Sequence, residues 1–104
     1  MAIKIIGRGI HASATPNEIV YTPPGDVISA TIATGTVENI LPIGAKLFIR
    51  IGGRGIWVIK GKDIPVMGAP LVLPPITLNP GEWLEAWSDT PNALDINITI
   101  GEQR

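Results

Sequence analysis

Residues Gly68 to Asp89, GAPLVLPPITLNPGEWLEAWSD, constrain the fold more than any other stretch of this chain. Leu71 with Leu73, and Ile76 with Leu78, repeat at the period of two that belongs to a strand with one buried face. Pro74-Pro75 separates the two pairs, and proline offers no N–H to a helix, so no helix runs through this region. Asn79-Pro80-Gly81 then marks a reversal, because Pro presets φ and Gly tolerates positive φ. Trp83, Glu85 and Trp87 follow at even spacing and project from one face of the next strand.

The remainder of the chain repeats this grammar. Twelve glycines and ten prolines interrupt its 104 residues, and no helical stripe survives beyond a couple of turns. Ile3-Lys4-Ile5 predicts a strand closed by Gly7-Arg8-Gly9, so residues 1–17 are read as an extended arm or edge strand, with His11 in a polar loop. Ile19 and Tyr21 share a face of a second strand, and Pro23-Pro24-Gly25-Asp26 is a turn. Val27 to Val37 is the longest strand candidate, with Ile28, Ala30 and Ile32 directed at the core. Leu47, Ile49 and Ile51 alternate with Lys46, Phe48 and Arg50. Gly52-Gly53-Arg54-Gly55 turns the chain back into a strand whose Ile56 and Val58 face inward. Leu94, Ile96, Ile98 and Ile100 alternate with Asp95, Asn97 and Thr99. About eight short strands are predicted, giving an all-β fold: one antiparallel β-sandwich or jelly-roll domain over residues 1–104. The octapeptides IKIIGRGI (Ile3 to Ile10) and IRIGGRGI (Ile49 to Ile56) share six positions of eight. Their flanks diverge, which favours convergent hairpin chemistry over duplication.

Composition bounds the function. The chain is 45% hydrophobic and only 16% charged, against about 25% charged in ordinary soluble domains. At this length such a balance points to a surface covered by other subunits. The net charge of −1 carries no basic field that would draw nucleic acid. The absence of cysteine excludes disulfides and thiolate metal sites, and a single histidine has no second one to share a metal. No apolar run approaches the roughly 20 residues of a membrane span, and no signal peptide is legible, so synthesis in the cytoplasm is expected.

Candidate functional residues therefore come from aromatic and charged placement. With Leu47, Ile49, Leu84 and Ala86 inward, Phe48, Trp57, Trp83 and Trp87 face outward on neighbouring strands, a larger apolar patch than monomers tolerate. Burial within the chain through a bulge or a covered face is the alternative. Lys46, Arg50, Arg54, Lys60 and Lys62 cluster in the central hairpin, while Glu82, Glu85, Asp89, Asp95 and Glu102 populate the C-terminal part. This split suits either a head-to-tail contact between copies, with Arg50, Arg54 and Glu85 as interface residues, or neutralisation within the chain. Trp83 and Trp87 flanking Glu85 also resemble a sugar-stacking platform, and Glu82 with Glu85 a carboxylate pair. The glycine-rich GRG segments lead into strands, not the Lys-Ser/Thr helix start of a phosphate loop.

Several pieces are similar to a small β-sandwich family among virion proteins of tailed bacteriophages. They are Ile19-Val20-Tyr21-Thr22-Pro23-Pro24-Gly25, the Val27–Val37 strand, Ala45 to Ile51, Pro70 to Leu73, and Ile76 to Leu84. The chain departs from the family in Pro24 and in its tryptophan-rich strand. The resemblance implies a non-enzymatic structural protein of the virion that needs no cofactor and forms homo-oligomers, a trimer among them. Capsid decoration (cement) across major capsid subunits is the first expectation, and a neck or tail component the second.

Overall fold

The structure, a computed structural model, describes residues 3–66 and 70–104. Its nine strands are β1 (Ile3–His11), β2 (Ile19–Tyr21), β3 (Ser29–Asn39), β4 (Ala45–Gly52), β5 (Ile56–Ile64), β6 (Leu71–Val72), β7 (Ile76–Leu78), β8 (Trp83–Ser88) and β9 (Leu94–Gln103). Gly68, at the head of the strand-and-turn stretch, lies outside the described residues. The strands form two antiparallel sheets in an all-β sandwich. One runs β1-β9-β3-β6, with β7 also on β3, and the other runs β2-β8-β4-β5.

The alternating segments supply the core. Ile32, Leu47, Ile49, Leu78, Leu94, Ile96 and Ile100 are fully buried between the sheets, each contributing about 1.5–3 kcal/mol by leaving water. Leu73, Ile76 and Leu78 close this core from the organising stretch, and Leu71 packs against its rim. The Asn79-Pro80-Gly81 reversal is tied by the Glu82 N–H donating to the Asn79 carbonyl, with Gly81 at φ +82°.

Four local expectations need correction. Gly7-Arg8-Gly9 is not a turn: β1 runs straight through it, each residue from Ile3 to His11 opposite one of β9. The matching octapeptide does form a hairpin, with Gly53 and Gly55 at positive φ and the Gly55 N–H on the Ile51 carbonyl. Glycine permits both conformations, so the long-range ladder to β9 decides between them. His11 accordingly ends β1 instead of sitting in a loop, and its Nδ1 meets the Asp95 carboxylate across the ladder.

In β3 the expected alternation fails at both ends. Ile28 precedes the strand and is 56% exposed. Ala30 and Ile32 point inward, but the register against β9 then shifts between Ile32 and Thr34. Ala33 is the extra residue, and the inward side passes to Gly35, Val37 and Asn39. β5 carries two such irregularities against β4, one at Val58 and one at Gly61. Ile59, opposite Ile49, therefore packs on the core beside the half-buried Val58, and Ile56 lies exposed at the hairpin end.

A polar staple joins the two sheets at one edge. Arg8 of β1 lies 5.5 Å from the ring centre of Tyr21 on β2. The Tyr21 hydroxyl donates to Glu102 Oε2 at 2.5 Å, and Arg104 Nη2 stands 3.2 Å from Glu102 Oε1. Arg104 Nε also donates to Asp26 at 2.7 Å. Burial, reinforced by the hydrogen bond to Glu102 and its charge, pushes the Tyr21 phenol above its ordinary value.

Candidate functional site

The outer face of the β2-β8-β4-β5 sheet carries six of the seven residues singled out from the sequence, while Arg54 lies in the turn between β4 and β5. β8 presents Trp83, Glu85 and Trp87, because Leu84, Ala86 and Ser88 occupy the inward parity. β4 presents Phe48, Arg50 and Gly52 directly opposite Trp87, Glu85 and Trp83. β5 adds Trp57 opposite Arg50 and Lys60 opposite Phe48.

Register brings three rings together. Phe48 and Trp87 stack with planes 3° apart and centroids 5.3 Å apart, and Trp57 tilts against Trp87 at 5.5 Å. Lys60 Nζ lies 5.3 Å from the Trp57 ring centre. Trp87 is thereby buried to 6% exposure, whereas Trp57 remains 38% exposed. Gly61 is the residue that lets the strand fold close to these rings: it sits at φ +69°, and a Cβ there would stand 3.4 Å from the Phe48 ring.

Trp83 is placed differently. Its indole lies across β4 at Gly52, where a Cβ would fall 1.9 Å from Nε1. The indole N–H donates to Glu85 Oε2 at 2.8 Å. The other Glu85 oxygen accepts from Asn17 at 2.9 Å and from Arg50 at 3.4 Å. Trp83 and Trp87 thus do not form a free pair of coplanar rings: one is sealed by Phe48, and the other is laid on Gly52.

The arginines are engaged inside the chain. Arg50 pairs with Glu85, and Arg54 pairs with Glu82 while donating to the Thr77 carbonyl at 2.9 Å. Glu82 also accepts the Asn79 N–H at 2.7 Å, so it serves the turn. Asp89 accepts the Lys46 N–H at 2.7 Å, which draws its carboxyl below the usual range. Two of the segregated charges on each side therefore meet within the chain, Arg50 with Glu85 across paired strands and Arg54 with Glu82 across a turn. Around Glu85, burial alone would raise the carboxyl pKa. The hydrogen bonds from Asn17, Trp83 and Arg50, with the Arg50 charge, outweigh it and hold the group below its ordinary value.

That depression has a pH consequence. A carboxylate with a lowered folded-state pKa stabilises fully above its unfolded value and loses that contribution as pH falls through the folded one. Urea midpoints of the wild-type chain should therefore drop between about pH 5 and about pH 3, and Glu85→Gln should flatten part of that drop. An unchanged slope in Glu85→Gln would remove Glu85 from the acid response.

Sequence reasoning missed the Tyr21–Glu102 staple, although a signal was present. The even-numbered run Leu94, Ile96, Ile98, Ile100 points to the core, and Glu102 continues it to 1% exposure. Among the described residues, no group of three or more His, Asp or Glu is arranged to hold a metal. Compared with protein-family models, curated proteins and solved structures, the chain matches none.

Proposed function

We propose that this chain is a non-enzymatic structural protein of a tailed-phage virion, a β-sandwich that assembles in several copies on the particle. The observation that supports it is the surface. Ile3, Ile5, Ile19, Ile28, Ile43 and Val72 are each more than half exposed, on a chain only 16% charged. Fully exposing so many branched aliphatic side chains is costly, and contact with other protein removes that cost. The charged residues do not compensate, because Arg50, Arg54, Glu82 and Glu85 are spent on internal pairs. Trp57 and Ile56, at the exposed end of the β4–β5 hairpin, are the aromatic-site residues best placed to meet a neighbour.

Decoration of the capsid shell is the preferred position, since a single small apolar domain suits a seat across capsid subunits. A neck or tail position rests on the same surface. The sugar-platform reading loses ground because Trp87 is covered by Phe48. Quantitative mass spectrometry of purified particles from the encoding phage tests the proposal. The chain is expected at a fixed, multiple copy number per particle; its absence from particles, with abundant free protein in the lysate, would sink it.

A further inference from the structure

We infer that β1 is a self-pairing edge, joining two copies antiparallel about a twofold axis through Gly7. This rests on the reading of the chain as an assembling protein, and its test separates the two.

The four sheet edges are not equivalent. β2 has three residues, and β6 and β7 have two and three. β5 has nine, but it is broken by irregularities at Val58 and Gly61, a device that blunts an edge. β1 is also nine residues long, pairs with β9 without a register shift, and contains no proline. Among the described residues nothing pairs with its other side. Ile3 and Ile5, on its outer face, are 66% and 67% exposed. A long, regular edge with free N–H and C=O groups and exposed isoleucines on its outer face is a template for another strand.

The occupant that fits is a second β1. Beside Ile3 and Ile5, the same face of the strand carries Gly7 and Gly9, which border a shallow hollow of about 560 Å³ shared with Thr34, Asn97, Thr99 and Val72. In an antiparallel pair centred on Gly7, Ile5 of each copy stands opposite Gly9 of the other. The apolar knob of one strand then covers the bare glycine of its partner, the arrangement that offsets glycine's weakness in sheets. Charge selects the same register. Centred on Gly7, Lys4 faces Ile10 and Arg8 faces Ile6. Shifted by two residues along the ladder, the pairing sets Lys4 against Arg8 or Arg8 against Arg8. A parallel in-register pair sets each cation against itself, which is unfavourable. Only the Gly7-centred register also engages all nine residues.

The chain has no cysteine, so cross-linking reads the register directly. A Cβ at Gly7 meets nothing within 4 Å, and Gly7→Cys should fold normally. On the axis its two Cα atoms would lie about 4.5–5.5 Å apart, within the span of a disulfide. Ile5→Cys places its two sulfurs roughly 13 Å apart along the ladder and should not cross-link. We expect the wild type to sediment as a dimer, mild oxidation to convert Gly7→Cys to a covalent dimer, and Ile5→Lys to weaken association by roughly tenfold or more. A wild-type chain that stays monomeric at high concentration overturns the edge pairing, while particle binding still tests the functional reading. An oligomer in which Gly7→Cys fails to cross-link, or in which Ile5→Lys associates like the wild type, overturns the pairing and leaves self-assembly standing on another surface.

Discussion

Replacing Trp87 by alanine should cost about 3–5 kcal/mol of folding stability, the largest loss expected from any residue on the outer sheet face. The side chain is 6% exposed although it points away from the sandwich core. Phe48 lies flat on it at 5.3 Å, and Trp57 closes it from β5. Truncation removes the buried area of an indole and also the ring contacts, which carry about 0.5–1.5 kcal/mol beyond area. It further leaves Phe48 with one uncovered face and opens a cavity that β5, held close by its bulge at Gly61, fills only in part. Denaturant unfolding followed by far-ultraviolet circular dichroism gives the number. Trp57→Ala, at 38% exposure, should cost clearly less. Equal losses for the two would show that the cluster is not layered as described.

Tyr21→Phe is expected to cost about 1.5–3 kcal/mol, the value of a hydrogen bond to a charged group whose partner stays buried. Only one oxygen is removed, but Glu102 is 1% exposed and cannot turn to water for a replacement. If that mechanism holds, the penalty belongs to the stranded carboxylate and not to the lost hydroxyl. Combining Tyr21→Phe with Glu102→Leu should then recover most of the loss, because the buried carboxylate is gone and Arg104, though it loses Glu102, keeps Asp26 as its partner. A double-mutant cycle measures this directly. Additive losses would mean that Tyr21 and Glu102 stabilise the sheet edge independently.

How much of this was legible in the sequence follows from the range of the interactions involved. The Leu94 to Ile100 and Ala45 to Ile51 alternations predict their strands and their inward faces, because parity is a local property of extended backbone. Parity also places Phe48, Trp57, Trp83 and Trp87 on one outer face. It does not say who stands opposite whom. The Phe48–Trp87 stack and the Arg50–Glu85 pair exist because β4 and β8 are aligned in one register, a property of two distant segments. Ala33, Val58 and Gly61 escaped for a related reason. A bulge is an extra residue relative to a partner strand, so it has no meaning until the partner is known. The two GRG octapeptides make the point most sharply: nearly the same residues form a straight edge strand in one place and a hairpin in the other. Glu102 is the exception, since its inward parity was readable and only its charge argued against the core.

The site changed character accordingly. Residues chosen as an interface for their type are largely occupied with one another, and the exposed apolar surface consists mainly of isoleucines scattered over edges and turns. Branched aliphatic residues are so common in strands that their exposure cannot be read from the sequence. In the proposed virion role, function depends on which of them the fold leaves uncovered and on what covers them in the assembled particle.

The proposed virion role is measured most directly by an add-back experiment, with particles of a tailed phage that carries this gene assembled without the chain. Purified chain should bind them saturably, at a fixed copy number, and raise the temperature at which they release their genome. Particles that bind none of it, and whose composition and stability are the same with or without the gene, would contradict the account.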